Sequence, residues 1–285
     1  MQNIFRFEAM STPCEVHIYT KAKEKAREAA KEILLATKAL EKKYSYYAND
    51  SLLHLLNERK ENVLDTQTKD ILVHAKHFYD QTQTLFDISL ATIKPLYNAQ
   101  TLELFYTQRE ALLPFVGCEH FSIKKNKLFF DNPFTKLDLG GFVKEYAVDK
   151  AALILRKRKI EAALINFGGD IYALGHKPNG EKFTIGIKDP KNPAKHLCFV
   201  ELCNEAIATS AGYERNVTIE GVKFSHILSR QAMQREFASL SVLAPSALES
   251  GVYATSLNID ASLACVHKTI KIDTDSGVHY ENFTR

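Results

Sequence analysis

The sequence predicts an α+β fold. Two observations carry this: amphipathic helical patterns crowd the first third of the chain, and short strand patterns separated by turn residues crowd the second half. A third is that no regular strand–helix–strand alternation links them, which argues against a doubly wound sheet. The 285 residues, 45% of them hydrophobic, suffice for a sizeable core. With no internal repeat, low-complexity tract or Pro/Gly-rich linker, one unit over residues 1–285 is expected.

Residues 4–20 alternate apolar and polar side chains in part and close on His17-Ile18-Tyr19-Thr20, which reads as a strand. Over 21–43, Ala22, Ala26, Ala29, Ala30, Ile33 and Leu40 share one broad face with Lys, Arg and Glu opposite, as in a helix with one buried stripe. A turn at Ala48-Asn49-Asp50 precedes a short helix over 51–57, capped by Ser51 or Asp50. Ile71, Leu72, Ala75 and Phe78 repeat at helical spacing over 66–82, leading into the apolar loop Leu85-Phe86-Asp87-Ile88. Strands over 121–124 and 127–130 flank Lys125-Asn126. A strong helix covers 143–158 and a strand 162–166. Further strand patterns occupy 182–187, 197–202, 206–210, 216–219 and 239–243, and a helix runs from 247 to about 257.

Charge excludes some classes of partner. With 37 basic and 34 acidic side chains the net charge is +3, too balanced to draw the chain to nucleic acid or a membrane surface. The run Arg156-Lys157-Arg158-Lys159 closes a helical pattern and reads as a solvated end. No stretch reaches the length of a membrane span, and the first ten residues, with Arg6 and Glu8, lack the apolar core of an export signal. A cytoplasmic location without stable membrane insertion is expected. The five cysteines are odd in number and mostly far apart, with no CxxC, so reduced thiols fit better than disulfides or zinc.

Several stretches look chemical. Asp138-Leu139-Gly140-Gly141-Phe142-Val143-Lys144 sets two glycines after an acidic residue at the entry to a helix. That geometry offers backbone groups beside a helix N-terminus to a phosphate or a metal-bound phosphate. A plain strand-to-helix turn accounts for the segment slightly better when it is taken alone, because it is neither a P-loop nor GxGxxG. Asn166-Phe167-Gly168-Gly169-Asp170 ends a buried strand on a double glycine. Thr209-Ser210-Ala211-Gly212-Tyr213-Glu214-Arg215 gathers hydroxyls and an arginine at a strand end. His226 follows a hairpin; a lone histidine is usually structural.

Taken in order and at these intervals, the segments resemble the FAD:protein FMN transferases, the ApbE-like family. Ala9-Met10-Ser11-Thr12-Pro13-Cys14 resembles its first strand motif. Tyr44-Ser45-Tyr46-Tyr47-Ala48-Asn49-Asp50-Ser51, with Asn57 beyond, resembles its tyrosine-and-serine turn. Phe86-Asp87-Ile88-Ser89 followed by Pro95-Leu96 resembles its Phe-Asp segment. The glycine segments, 209–215, Ser225-His226 and 247–257 match the remaining blocks, so the resemblance spans roughly residues 4–260.

The resemblance implies mixed or antiparallel sheets packed with helices, with FAD as substrate in a cleft between them. It implies a magnesium ion on the diphosphate and an acceptor protein whose Ser or Thr hydroxyl takes FMN as AMP leaves. Positioning and charge neutralisation would then supply most of the rate. Carried over, Met10, Tyr47, Phe86, Asp87 and Ile88 line the flavin or adenine pocket. Asp138, Lys144, Thr209, Ser210 and Ile227 contact FAD, His226 is the catalytic histidine, and Gly141 (through its carbonyl) and Thr255 hold the metal.

The chain departs from the family pattern at several of these places. The family's Asp-x-x-x-Thr reads Gly251-Val252-Tyr253-Ala254-Thr255 here, which removes a carboxylate from the metal site and is expected to weaken it. Glu249, two residues earlier, projects from another helix face. The family glycine after Lys144 is Glu145, that after Thr209-Ser210 is Ala211, and the Asp-Pro after the histidine is Ser229-Arg230. Restoring the carboxylate with Gly251→Asp is expected to raise metal affinity. A second class of function therefore stands beside the transferase: an FAD-binding carrier or assembly protein of the same fold, impaired in catalysis. Hydrolysis of FAD by water at the same site is a third.

Overall fold

The computed structural model describes residues 1–211, 216–225, 230 and 237–283. The alternation over 4–20 builds a hairpin instead of one strand: β1 (Gln2–Ala9) pairs with β2 (Thr12–Tyr19), with Ala9 opposite Thr12. Met10 and Ser11 turn the chain at φ +53° and +57°. A two-residue loop with both φ values positive has the backbone twist a hairpin needs, but its usual residues are Asn and Gly. Met and Ser gave the sequence no turn signal, and the two strands merged into one.

The helices α1 (Lys23–Tyr44), α2 (Leu52–Asn57) and α3 (Thr66–Gln81) follow. Ser51 caps α2 by accepting from the His54 amide, and Asp65 caps α3 by accepting from Thr68. The segment expected as an apolar loop runs on into a 3-10 helix, Ile88–Asn98, capped by Asp87. Then come α4 (Leu102–Leu112), the hairpin β3 (Phe121–Lys124) and β4 (Lys127–Phe130), and α5 (Val143–Lys157). The remainder holds β5 (Ala163–Phe167), β6 (Asp170–Leu174), β7 (Phe183–Lys188), β8 (His196–Leu202) and β9 (Glu205–Ala211). Last are β10 (Asn216–Ile219), β11 (Val222–Ser225), β12 (Ser239–Ala244), α6 (Ala247–Ile259), β13 (Lys268–Ile272) and β14 (Val278–Glu281).

Eight strands form one sheet in the order β1-β2-β5-β6-β9-β12-β13-β14, and every neighbouring pair is antiparallel. Burial along the strands tells where it is covered. In β2 the inward Cys14, Val16 and Ile18 alternate with partly exposed residues, so one face meets the core and the other is partly wet. Every residue of β6 and β12 is buried, so both faces are covered there.

On one face α1 and α5 pack with Val16, Ile18, Ile165 and Phe167 in the main core. On the other, the β7–β8 hairpin contributes Phe183, Ile185, Val200 and Leu202 against Ile171, Ile207, Ile270 and Ile272. Helix α6 lies over β9 and β12. It is buried on nearly all sides, as its run of apolar and small residues requires. Among the described residues, no helix is long and apolar enough to cross a membrane. All five cysteines are unpaired.

Candidate functional site

The segment 135–138 leads into α5 and is held by side chains and by the carbonyl of Ile88, which opens the 3-10 helix. Asn57 clamps Leu137 from both sides, donating from Nδ2 to its carbonyl and accepting its N–H on Oδ1, each at 2.8 Å. The Lys136 amide donates to Thr92 Oγ1 at 3.0 Å, and the Asp138 amide donates to the Ile88 carbonyl at 2.8 Å. The sequence-predicted groups 86–88 and 138–144 therefore meet in space. Phe86 packs on Phe142 with ring centroids 5.9 Å apart, and both rings are buried. Ile88 is likewise a core residue.

Asp87 turns inward. Its Oδ1 accepts from the Ser89 amide at 2.8 Å and the Ser89 hydroxyl at 2.6 Å, and Cys118 Sγ lies at 3.5 Å. Its Oδ2 is buried without a hydrogen-bond partner, and burial pushes this carboxyl above the ordinary range.

Asp138 is half-buried and forms an ion pair with Lys94. The Lys94 ammonium also sits 4.6 Å from the Tyr46 ring centre and 5.5 Å from that of Tyr47. Burial, with Asp138 nearby, raises the Tyr46 phenol. Tyr47 leaves 81% of its surface in water, although it stacks edge-on against Tyr46 at 5.3 Å. An exposed ring fixed this way is available to a planar ligand. Sequence reasoning passed over Lys94; the available signal was a single charge before Pro95 in an otherwise apolar run.

Gly140 and Gly141 are exposed, and a Cβ at Gly141 would meet nothing within 4 Å. The Phe142 and Val143 amides donate to the Leu139 carbonyl at 3.0 and 2.8 Å, closing the turn that leads into α5. Lys144 leaves this turn to pair with Asp170 at the start of β6, and it lies 3.3 Å from Glu145 Oε1. Glu145 points instead into α6. Its residue surface is only 7% exposed, and its Oε2 is buried without a partner.

Gly251 receives that side chain. A Cβ built there would lie 2.6 Å from Glu145 Cγ and 3.3 Å from its Oε1. Simple addition of a carboxylate by Gly251→Asp, expected above to raise metal affinity, therefore collides with Glu145. Glu249 pairs with His267 at 3.2 Å. Thr255 is half-buried one turn beyond Gly251 on the same helix face.

One turn after Glu145, Asp149 caps α6 by accepting from the Ala247 amide at 2.7 Å and the Leu248 amide at 3.0 Å. Burial lifts its pKa to about 6, against the pull of those two amides. With the folded pKa above the unfolded one, the native state binds the extra proton, so this contribution to stability is complete below about 4 and is lost as pH rises through 6. The wild type is expected to lose about 2–3 kcal/mol relative to Asp149→Asn between pH 4 and 7. Chemical denaturation of both proteins across that range checks it; parallel stability curves would refute it.

The other carried-over residues fall at the rim of the same sheet. The Met10 amide donates to Glu41 Oε1. Thr209 Oγ1 bonds Ser241 Oγ at 2.8 Å, and the Ser210 carbonyl accepts from Asn258 of α6 at 2.9 Å. Arg230, one of the departures, donates to Tyr79 Oη and Glu119 Oε1, both at 3.1 Å. His226 and Ile227, with Ser229 and residues 212–215, lie outside the described residues. A separate cleft, lined by Asn57, Arg59, Phe130 and Lys136, contains none of the proposed site residues. Among the described residues, no group of three or more His, Cys, Asp or Glu side chains stands ready to hold a metal.

The model of the ApbE family matches residues 10–271. A protein of Treponema pallidum named FAD:protein FMN transferase is 25% identical over 272 residues, covering 86% of this chain and 75% of its own. A namesake from Vibrio cholerae is 27% identical over 230 residues, 75% of this chain and 68% of its own. One from Klebsiella pneumoniae is 29% identical over 153 residues, 51% of this chain and only 46% of its own length. The crystal structure of a Thermotoga maritima ApbE protein superposes with a TM-score of 0.86 at 23% identity, covering 98% of this chain and 96% of that one. The Vibrio cholerae flavin transferase ApbE superposes at 0.83 and 23%, covering 99% and 96%. At these identities the superpositions show the fold.

Proposed function

This chain belongs to the ApbE family, and from that premise we propose that it is an FAD:protein FMN transferase. It moves FMN from FAD to a Ser or Thr hydroxyl of an acceptor protein and releases AMP. The observation that carries this reading is the corner where Asp138, the two exposed glycines and Lys144 open the N-terminus of α5.

The acceptor oxygen bonds to the FMN phosphorus, the bond from that phosphorus to the bridging oxygen breaks, and that oxygen leaves on AMP. The hydroxyl proton passes to a base, for which His226 is our candidate. The peptide dipoles of α5 converge on the glycine turn and favour a diphosphate there, together with the charge that builds on the leaving phosphate. Lys144 stands at the same turn, its ammonium paired with Asp170 and close to Glu145. Tyr47, with its exposed ring, stacks on a flat ring of the dinucleotide, and Met10, Thr209 and Ser210 border the same pocket. From beneath, Ile88 fixes the backbone of Asp138 through its carbonyl, Phe86 packs on Phe142, and Asp87 caps the segment that carries Ile88.

A divalent cation, Mg2+ in this reading, neutralises the diphosphate when bound. The Gly141 carbonyl and the Thr255 hydroxyl are hard oxygen donors but carry no charge, a thin set for Mg2+. The buried, unpartnered oxygen of Glu145 beside Gly251 makes the corner fit a cation. The five unpaired thiols suit the cytoplasm.

The test is to incubate purified protein with FAD, Mg2+ and peptides carrying Ser or Thr, and to measure AMP and peptide mass. AMP matched by a peptide heavier by one FMN phosphoester is the expected result. Bound FAD with neither product at any Mg2+ concentration would sink the proposal, and free FMN without a modified peptide would make it a hydrolase.

A further inference from the structure

We propose that Glu145 supplies the carboxylate ligand of the divalent cation, in the space that a side chain at position 251 would otherwise fill. The inference deepens the transferase reading and rests on it. Glu145 leaves the first turn of α5 and reaches across to α6, where Gly251 offers no side chain. The closeness is such that a single added carbon at 251 would overlap Glu145 Cγ at 2.6 Å. Thr255, the carried-over hydroxyl ligand, stands one helical turn further along that face.

The burial of the carboxylate favours a cation beside it. Glu145 is 93% buried, and Oε2 has no hydrogen-bond donor. Leaving an ionised oxygen in that state costs several kcal/mol. The nearest ammonium, Lys144, approaches Oε1 at 3.3 Å while it is engaged by Asp170. It leaves Oε2 unanswered. A divalent cation satisfies that oxygen, and Mg2+ characteristically takes one or two carboxylates and completes its shell with water and substrate phosphate. Glu145, Thr255 and the Gly141 carbonyl, with diphosphate oxygens, make such a set.

Two departures from the family pattern thus become one exchange. The carboxylate absent from α6 is delivered from α5, and a Glu, one methylene longer than Asp, spans the gap between the helices. Glu249 is spoken for by His267.

The test titrates Mn2+, as a probe of the Mg2+ site, into FAD-loaded protein and follows free Mn2+ by EPR. Glu145→Gln, which keeps the shape, is expected to weaken Mn2+ binding about tenfold or more. Gly251→Asp alone is expected to lower Tm through the collision. The exchange variant Glu145→Gly/Gly251→Asp is expected to recover Tm and return Mn2+ affinity to near the wild-type value. FAD affinity of each protein is measured separately in EDTA by flavin fluorescence. If FAD binds and Glu145→Gln holds Mn2+ as tightly as the wild type, the ligand assignment is overturned and the transferase reading stands. If the wild type binds no FAD, both fall together.

Discussion

Lys144→Met is expected to destabilise the protein by about 3 kcal/mol, read as a lower denaturation midpoint at unchanged m-value. Lys144 is the ammonium facing two buried carboxylates, Asp170 with 7% and Glu145 with 9% of the side chain exposed. Methionine preserves most of the stem's packing but leaves both acids uncompensated, so the loss reflects stranded charge more than lost attraction. The double variant Lys144→Met/Asp170→Leu should recover a good part of it by removing one of the stranded groups. Equal stability of Lys144→Met and wild type would mean that water already solvates this corner.

Phe142→Ala carries the second large expectation, a loss of about 3–5 kcal/mol. The ring is fully buried between Phe86, at 5.9 Å, and Phe78, at 6.3 Å. It stands immediately before α5, so the cavity opens beneath the glycine turn. FAD affinity should fall more than in a variant of equal destabilisation remote from the site, such as Ile270→Ala on the far face of the sheet. Matched FAD affinities in the two would separate Phe142 from the site and leave it a core residue only.

Much of the fold was legible because its signals were local. Helices α1, α3 and α5 each carry an apolar stripe, and their ends fell within a residue or two of expectation. Strands β3, β4, β7, β8 and β9 stand between turn residues and emerged nearly whole. What escaped was set by tertiary contact. Strand β6, Asp-Ile-Tyr-Ala-Leu, is buried on both faces and so lacks alternation. Strands β13 and β14 pair at the far edge of the sheet, beyond α6, where the sequence shows no clear strand alternation. The 3-10 run Ile88–Asn98 contains Pro95, which obscured any helical pattern.

The candidate site divides the same way. Order and spacing of motifs nominated Asp138, Gly141, Lys144 and Thr255 as candidates. They could not reveal that Glu145 and Gly251, 106 positions apart, share one space, because each change was judged against its own motif. Nor could they find Lys94, which reaches Asp138 only after the 3-10 segment folds beneath it.

Isothermal titration of FAD with and without Mg2+ tests most directly whether a diphosphate is received at the N-terminus of α5 together with a cation. Binding of one ligand must tighten the other by the same factor if the two meet at that corner. FAD binding to one site per chain, tightened about tenfold by Mg2+, is the predicted result. FAD affinity indifferent to Mg2+, or no binding heat at all, would contradict it.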